Sequence, residues 1–338
     1  MSTSVPRIGL VLGAGGSVGL AYHGGVLAAI EEATGWDPRT AEVIVGTSAG
    51  SLTAAMLRRG LPAADLTAIS EDRALSAEGA AIRERGALHN PRAGTRAVLG
   101  YRPFADLAAV RHGLLHPWSM SPASLIAALL PAGVVPTEAL SVGLDAAYEG
   151  RWSDRPLWIC SVRLRDGRRV VFGREGAPNA TVGQAVAASC AIPSYFRPVR
   201  IAGDRYVDGG VRSMINLSLV ADLGLDMVIV SSPMSWASRW PGVGVDVALR
   251  QLSRQQLSRE LRMVRSRGSE VTAFQPTRRM TVAMGPNAMD ARRRKLVSRE
   301  AYRSTLAYLA DAEQGRHLGE VLAQGGAGGG SPRLVTCS

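Results

Sequence analysis

Apolar residues fall along this chain as short continuous runs separated by amphipathic stretches. Ile8–Leu12 is one such run, and a glycine-rich loop Gly13-Ala14-Gly15-Gly16 leads from it into a helical pattern with Val26, Leu27 and Ile30 inward, lasting to about Ala33. The next run, Val43-Ile44-Val45, completes a β-α-β unit, so its two strands are expected to be parallel neighbours. That second run breaks into Gly46-Thr47-Ser48-Ala49-Gly50 and continues as Leu52-Thr53-Ala54-Ala55-Met56-Leu57, the pattern of strand, sharp turn and helix.

Further along, Leu157–Leu164 and Arg169–Phe172 flank Asp166-Gly167 as a hairpin, and a helix over about Val182–Ser189 starts from a cap at Asn179 or Thr181. Val199–Ile201 and Arg205–Val207 form another turn-linked pair, followed by a buried strand at Met227–Ser232. A helix from about Val245 to Arg267, a last strand at Val271–Phe274 and a final helix from the Arg292-Arg293-Arg294-Lys295 cluster to about Ala312 complete the series. Residues 61–150 lack this rhythm: they carry scattered prolines, basic residues around Arg92 and Arg96, and apolar stretches at Trp118-Ser119-Met120 and Leu125–Leu130, as expected of a cap over a site. The organisation predicted is one domain over residues 1–323, with a motif core at 8–232, a cap insertion at 61–150, a basic helical part at 240–323 and a flexible tail at 324–338.

Composition narrows this picture. Apolar residues at 46% and charged residues at 20% fit a folded globular protein. The net charge of +11 rests on arginine, with Lys295 the only lysine, and favours anionic surfaces such as phospholipid headgroups or nucleic acid. The same excess follows from a base composition that raises arginine and alanine together, and the helix bearing Arg250, Arg254, Arg259, Arg262, Arg265 and Arg267 is adequately explained as a solvated basic face. Nucleic-acid binding by the C-terminal third rests on charge alone, with few interleaved aromatics, and is not expected. Cys160, Cys190 and Cys337 are widely spaced and odd in number, pointing to a reducing compartment, and the five histidines form no metal-ligand pattern, so neither metal nor cofactor is expected. The uncharged stretch Ile8–Ile30 holds too many glycines to span a membrane. A cytoplasmic, non-spanning protein is expected, perhipheral to the membrane at most, and the sequence leaves its oligomeric state open.

Serine chemistry on an ester needs an activated hydroxyl, a base for its proton and donors for the oxyanion. Ser48 is the candidate nucleophile, because the second Gly-x-Ser-x-Gly places Ser17 inside the glycine-rich loop, with no tight elbow. Backbone N–H groups of Gly13, Ala14, Gly15 and Gly16, at the start of a helix, suit a developing negative charge. The same loop fits nucleotide binding poorly: Val18 stands where a dinucleotide fingerprint wants its last glycine, and no lysine follows the loop as in a P-loop. No histidine after Ser48 sits in a convincing strand-end turn. Asp208 does, with Gly209 and Gly210 letting the backbone fold beneath it.

Four motifs in order, Leu12-Gly13-Ala14-Gly15-Gly16, Gly46-Thr47-Ser48-Ala49-Gly50, Ala188-Ser189-Cys190-Ala191-Ile192-Pro193 and Asp208-Gly209-Gly210, resemble those of the patatin-like phospholipases. The resemblance implies a three-layer α/β/α fold with a mostly parallel central sheet and hydrolysis of acyl lipid esters without a metal. It also implies a Ser48–Asp208 dyad, with an oxyanion hole in which Gly15 and Gly16 are the leading donors. Two departures stand out. Where family members usually carry Arg or Lys just after the loop this chain has Val18, which bears on headgroup preference, and Asn216-Leu217-Ser218 lacks the proline often found there, which bears on loop rigidity. Two further readings use the same residues: an acyltransferase with the same dyad, and a catalytically silent lipid-binding or scaffold protein. An aspartate near its reference pKa of ~3.9 is a weak base, so the acid limb of activity is expected well below the histidine reference of ~6.5.

Overall fold

The computed structural model describes residues 5–85, 111, 115, 133, 135–236 and 245–327. Eight strands make one sheet: β1 (Ile8–Leu12), β2 (Val43–Thr47), β3 (Leu157–Arg163), β4 (Arg169–Phe172), β5 (Val199–Ile201), β6 (Asp204–Asp208), β7 (Met227–Ser231) and β8 (Glu270–Phe274). Their order is β5-β6-β3-β2-β1-β7-β8, with β4 also paired to β3. The five strands from β3 to β8 are mutually parallel, while β4, β5 and β6 enter antiparallel.

A parallel sheet covered on both faces needs strands that are apolar throughout, and alternate side chains here divide between two cores. Ile8, Leu10, Leu12, Ile44, Leu157, Ile159, Met227 and Ile229 face one layer. That layer holds α1 (Gly16–Thr34), α2 (Ala49–Arg58), α3 (Ala63–Ser70), α4 (Ala77–Glu84), α5 (Glu138–Tyr148) and α6 (Val182–Ser189). Also in it are α8 (Arg278–Met284), α9 (Arg294–Asp311) and α10 (Glu313–Ala327), and α9 packs along α1, which is buried on nearly every side. Val11, Val43, Val45, Val228, Val230 and Val271 face the other layer, built from α7 (Val245–Ser266) and a 3-10 turn at Leu217–Val220. The α/β/α sandwich with a mostly parallel sheet is the architecture that the resemblance to the patatin-like phospholipases implies.

Three expectations change. Residues 63–84 form α3 and α4, with α3 packed on α1, and α5 packs on α6. These segments belong to the helical layer because Leu66, Ile82, Leu144 and Tyr148 join the main core. The rest of the expected cap, residues 86–134 with Arg92, Arg96, Trp118–Met120 and Leu125–Leu130, lies almost wholly outside the described residues. Second, α7 is not a wholly solvated basic face: Arg250 is fully buried and donates from Nη1 to the Pro233 carbonyl (2.9 Å) and from Nε to Asp246 Oδ2 (3.1 Å). Third, α10 carries the helical part of the chain to Ala327, beyond the expected start of the tail at residue 324. No helix among the described residues is long and apolar enough to cross a membrane.

Candidate active site

Strand pairing brings the candidate groups together. Along β3, β2 pairs parallel with Leu157–Cys160 and β6 pairs antiparallel with Ser161–Arg163. Because β4 occupies residues Ile159–Val162 on the opposite edge, β2 and β6 share one edge of β3 and meet end to end. Thr47 is opposite Cys160 and Asp208 opposite the next residue, Ser161, so the residue after β2 and the last residue of β6 come together.

The chain leaves β2 through Ser48 with φ 53° and ψ −120°, a backbone conformation that non-glycine residues seldom adopt and that costs of order 1–3 kcal/mol. Close packing holds it there: a Cβ on Gly50 would run into the Leu12 carbonyl, and one on Gly46 would meet the first turn of α2 at Ser51. Ser48 precedes α2 in the position where a serine normally caps the helix with its hydroxyl, yet it makes no side-chain cap hydrogen bond. Its Oγ is therefore left for other work, at the positive end of α2. The Ser48 N–H donates to Ser189 Oγ (2.9 Å), and Ser189 in turn donates to the Cys160 carbonyl (2.6 Å). The Asp208 N–H donates to the Ala191 carbonyl (3.0 Å), so residues 188–193 tie both strand ends together.

Asp208 is buried, and burial pushes its carboxyl up to about 6, against the opposing pull of hydrogen bonds from the Ser48 hydroxyl and the Gly210 N–H. The Gly210 amide reaches Oδ1 at 2.7 Å, and Gly209 lies directly against the Cys160 carbonyl, which leaves no room for a side chain. A carboxylate at about 6 is a better base than one at its reference value. Desolvation was the factor that the sequence could not display.

The glycine-rich loop divides into two halves. Gly13 N–H donates to the Ser231 carbonyl (2.9 Å) and Ala14 N–H to the Met214 carbonyl (2.7 Å), so these two amides are already engaged. Among the described residues the Gly15 and Gly16 N–H groups have no partner, and they stand at the positive start of α1. The Pro233 ring, whose carbonyl Arg250 holds, lies against Gly15 and Gly19 beneath this turn.

His23, which the sequence did not single out for a role, supports these groups. His23, fully buried on α1, contacts the Gly13 carbonyl through Nε2 (2.8 Å) and Ser231 Oγ through Nδ1 (2.8 Å). Since a carbonyl only accepts, Nε2 carries the proton and Nδ1 accepts from the serine hydroxyl. Burial holds the ring well below its ordinary range, at about 4, so it is neutral near pH 7. Replacing His23 with phenylalanine strands the Gly13 carbonyl and the Ser231 hydroxyl in the core, with an expected loss of about 2–4 kcal/mol. A fall in the urea midpoint checks this, and a change below about 0.5 kcal/mol would show that the ring is not a brace.

Asn216 supplies the rigidity that no proline provides after Asp208. Its Nδ2 donates to Thr47 Oγ1 (3.0 Å) and the Ser213 carbonyl (2.7 Å), and its Oδ1 accepts from Arg169 (3.1 Å). Val18 is fully buried, so its position faces the core and presents nothing to a headgroup. Cys190 lies near Ser51 (3.9 Å), and burial and Asp208 push its thiol up to about 12, leaving it protonated. Among the described residues no three His, Cys, Asp or Glu side chains gather as metal ligands would.

The fold is similar to that of VipD from Legionella pneumophila, with a TM-score of 0.41 and 13% identity over 89% of this chain and 66% of that one. It is also similar to the type III effector protein ExoU, with a TM-score of 0.37 and 19% identity over 94% of this chain and 54% of that one. This chain thus spans less than two thirds of the length of either. The family model for patatin-like phospholipase matches residues 10–221, a stretch that runs from the strand before the glycine-rich loop past Asp208. That match covers well over half of the sequence, and the chain belongs to the patatin-like phospholipase family.

Proposed function

We propose that the protein is a serine-dependent lipid acyl hydrolase in which Asp208 and Ser48 form the working pair. The observation that carries this reading is the uncapped Ser48 hydroxyl on its strained turn beside a buried carboxylate pushed up to about 6. Asp208 takes the Ser48 proton as Oγ attacks the acyl carbonyl, giving a tetrahedral oxyanion to which the free N–H groups of Gly15 and Gly16 donate. Collapse expels the alcohol, which receives the proton from Asp208, and leaves an acyl-serine. Water then attacks that ester with Asp208 again taking the proton, and release of the fatty acid restores the serine.

Each group is held by a separate fixed contact: the turn by Ser189, the aspartate by Gly210, and the loop by His23 and Ser231. Preorganisation of this kind is what a weak base needs, since most of the rate enhancement must come from charge stabilisation and positioning. A scaffold protein without turnover has no use for a serine kept in a costly backbone conformation with its hydroxyl turned from the helix cap to a buried carboxyl. The test is labelling with a fluorophosphonate, which reacts with activated serines. Modification is expected at Ser48 alone and is expected to vanish in Ser48→Ala; a native protein that never labels, or a variant that labels as strongly, defeats the proposal.

A further inference from the structure

The cluster Arg292-Arg293-Arg294-Lys295 plays no part in the chemistry above, yet the fold brings it to the edge of the candidate site. The Ala288 carbonyl accepts the Val18 N–H (3.1 Å), and Met289 Sδ lies 3.0 Å from where a Cβ on Gly16 would stand. The 3-10 turn Ala291–Arg293 that follows packs on α1. A segment beyond the matched family region therefore rests on the loop that carries the free Gly15 and Gly16 amides.

The charges in this segment are not all structural. Arg293 donates to the Ala283 (3.1 Å) and Val282 (3.4 Å) carbonyls at the end of α8, an ordinary helix-terminus role. Among the described residues Arg292 pairs only with Asp290, and its side chain is 90% exposed. Among the described residues neither Arg294 nor Lys295 has a carboxylate partner. They open α9, whose first turn holds no acidic residue, so cations stand at the helix end that disfavours them. Two aliphatic side chains close to these charges in the fold are exposed: Leu296, which follows Lys295, at 50%, and Val282, whose carbonyl accepts from Arg293, at 61%.

Cations interleaved with exposed aliphatic residues suit the boundary of an anionic bilayer, where the charges meet phosphates and the aliphatic groups enter the acyl region. A single-stranded nucleic-acid surface would favour aromatic groups for base stacking, and none stands among Val282, Arg292, Arg294, Lys295 and Leu296. We infer that Arg292, Arg294 and Lys295, with Val282 and Leu296, form the face that seats the protein on an anionic lipid surface and presents the Gly15–Gly16 turn to it. The inference rests on the lipid hydrolase reading for its choice of surface. It also supplies a cationic contact that Val18 does not.

The experiment is co-sedimentation with vesicles of phosphatidylcholine containing phosphatidylglycerol, using Ser48→Ala protein so that turnover plays no part. In that background Arg292→Gln, Arg294→Gln and Lys295→Gln together are expected to weaken binding by about 100-fold at low ionic strength, and the difference should shrink in about 0.5 M salt. Leu296→Ser alone should weaken it several-fold, while Arg83→Gln with Arg85→Gln, exposed arginines on α4, should leave it unchanged. Thermal unfolding of each variant establishes that it is folded. Equal binding by the triple variant, equal binding of the parent to pure phosphatidylcholine, or retention on duplex DNA in place of vesicles would overturn the inference. None of these outcomes bears on fluorophosphonate labelling, so the failure of the docking face and the failure of the hydrolase reading are separable.

Discussion

Ser48→Ala is expected to lower kcat/KM for an acyl ester by at least about 10⁴-fold, with KM little changed. The estimate follows from the division of labour in the site. Removing a nucleophile abolishes the covalent route, and what remains is the catalysis that an intact oxyanion loop gives to direct attack by water. About 10⁴-fold corresponds to about 5.5 kcal/mol of transition-state stabilisation, far above what a packing defect at a single small residue produces. The alanine variant should fold at least as well as the parent, because alanine removes no helix cap here. The positive φ of the turn stays unfavourable in both. Hydrolysis of a soluble ester, read beside the unfolding midpoint, checks both halves, and a residual rate within tenfold of the parent would exclude Ser48 as nucleophile.

Asp208→Asn is expected to reduce turnover by about 10³-fold while raising stability at neutral pH. The amide keeps an oxygen for the Gly210 N–H but cannot take a proton from Ser48. The direction of the stability change follows from the raised carboxyl. Below the unfolded value of 3.8 the group is protonated in both states and its burial is harmless. As pH rises through about 6 the folded protein must hold a buried charge, and that stability is lost. Asparagine never bears the charge, so the variant should gain of the order of 1–3 kcal/mol at pH 7 to 8 and nothing below about pH 4. In the parent, kcat/KM should fall as pH drops through about 6. A limb there resembles that of histidine, but a neutral acid and a cationic acid respond oppositely to a less polar solvent. Added cosolvent should move this limb upward. A downward shift, or a limb that persists unchanged in Asp208→Asn, would remove Asp208 as the base.

Much of this arrangement was legible in the order of residues. The runs at Ile8–Leu12, Val43–Val45 and Met227–Val230 hold no charged or hydroxyl residue because both faces of the central strands are covered, and such runs read as strands without structural help. Thr181 and Gln184 announce the start of α6 through a complete capping box. The positions of Ser48 and Asp208 were readable because tight turns need small neighbours at fixed offsets.

What stayed hidden depends on contacts between distant parts of the chain. Arg250 has the sequence surroundings of a surface arginine, and only its reach to the Pro233 carbonyl reveals it as part of the interior. His23 lies in an alanine- and glycine-rich helix with nothing local to mark it, since its partners are Gly13 and, 208 residues away, Ser231. The segments 63–84 and 138–148 were mistaken for a cover because their apolar residues are sparse, each helix adding only a few side chains to the main core. The split of the glycine-rich loop into two engaged and two free amides is likewise a product of distant neighbours, Ser231 at the end of β7 and Met214 in the loop after Asp208, that the loop itself does not encode.

One strand sets the spacing of the reacting groups. Because Thr47 and Asp208 register against consecutive residues of β3, that strand works as a ruler, with the hydroxyl read off at one mark and the carboxyl at the next. A slip of one residue would turn both marks to the opposite face of the sheet at once. Ser48 and Asp208 thus behave as a single mechanical part, kept in alignment or lost together.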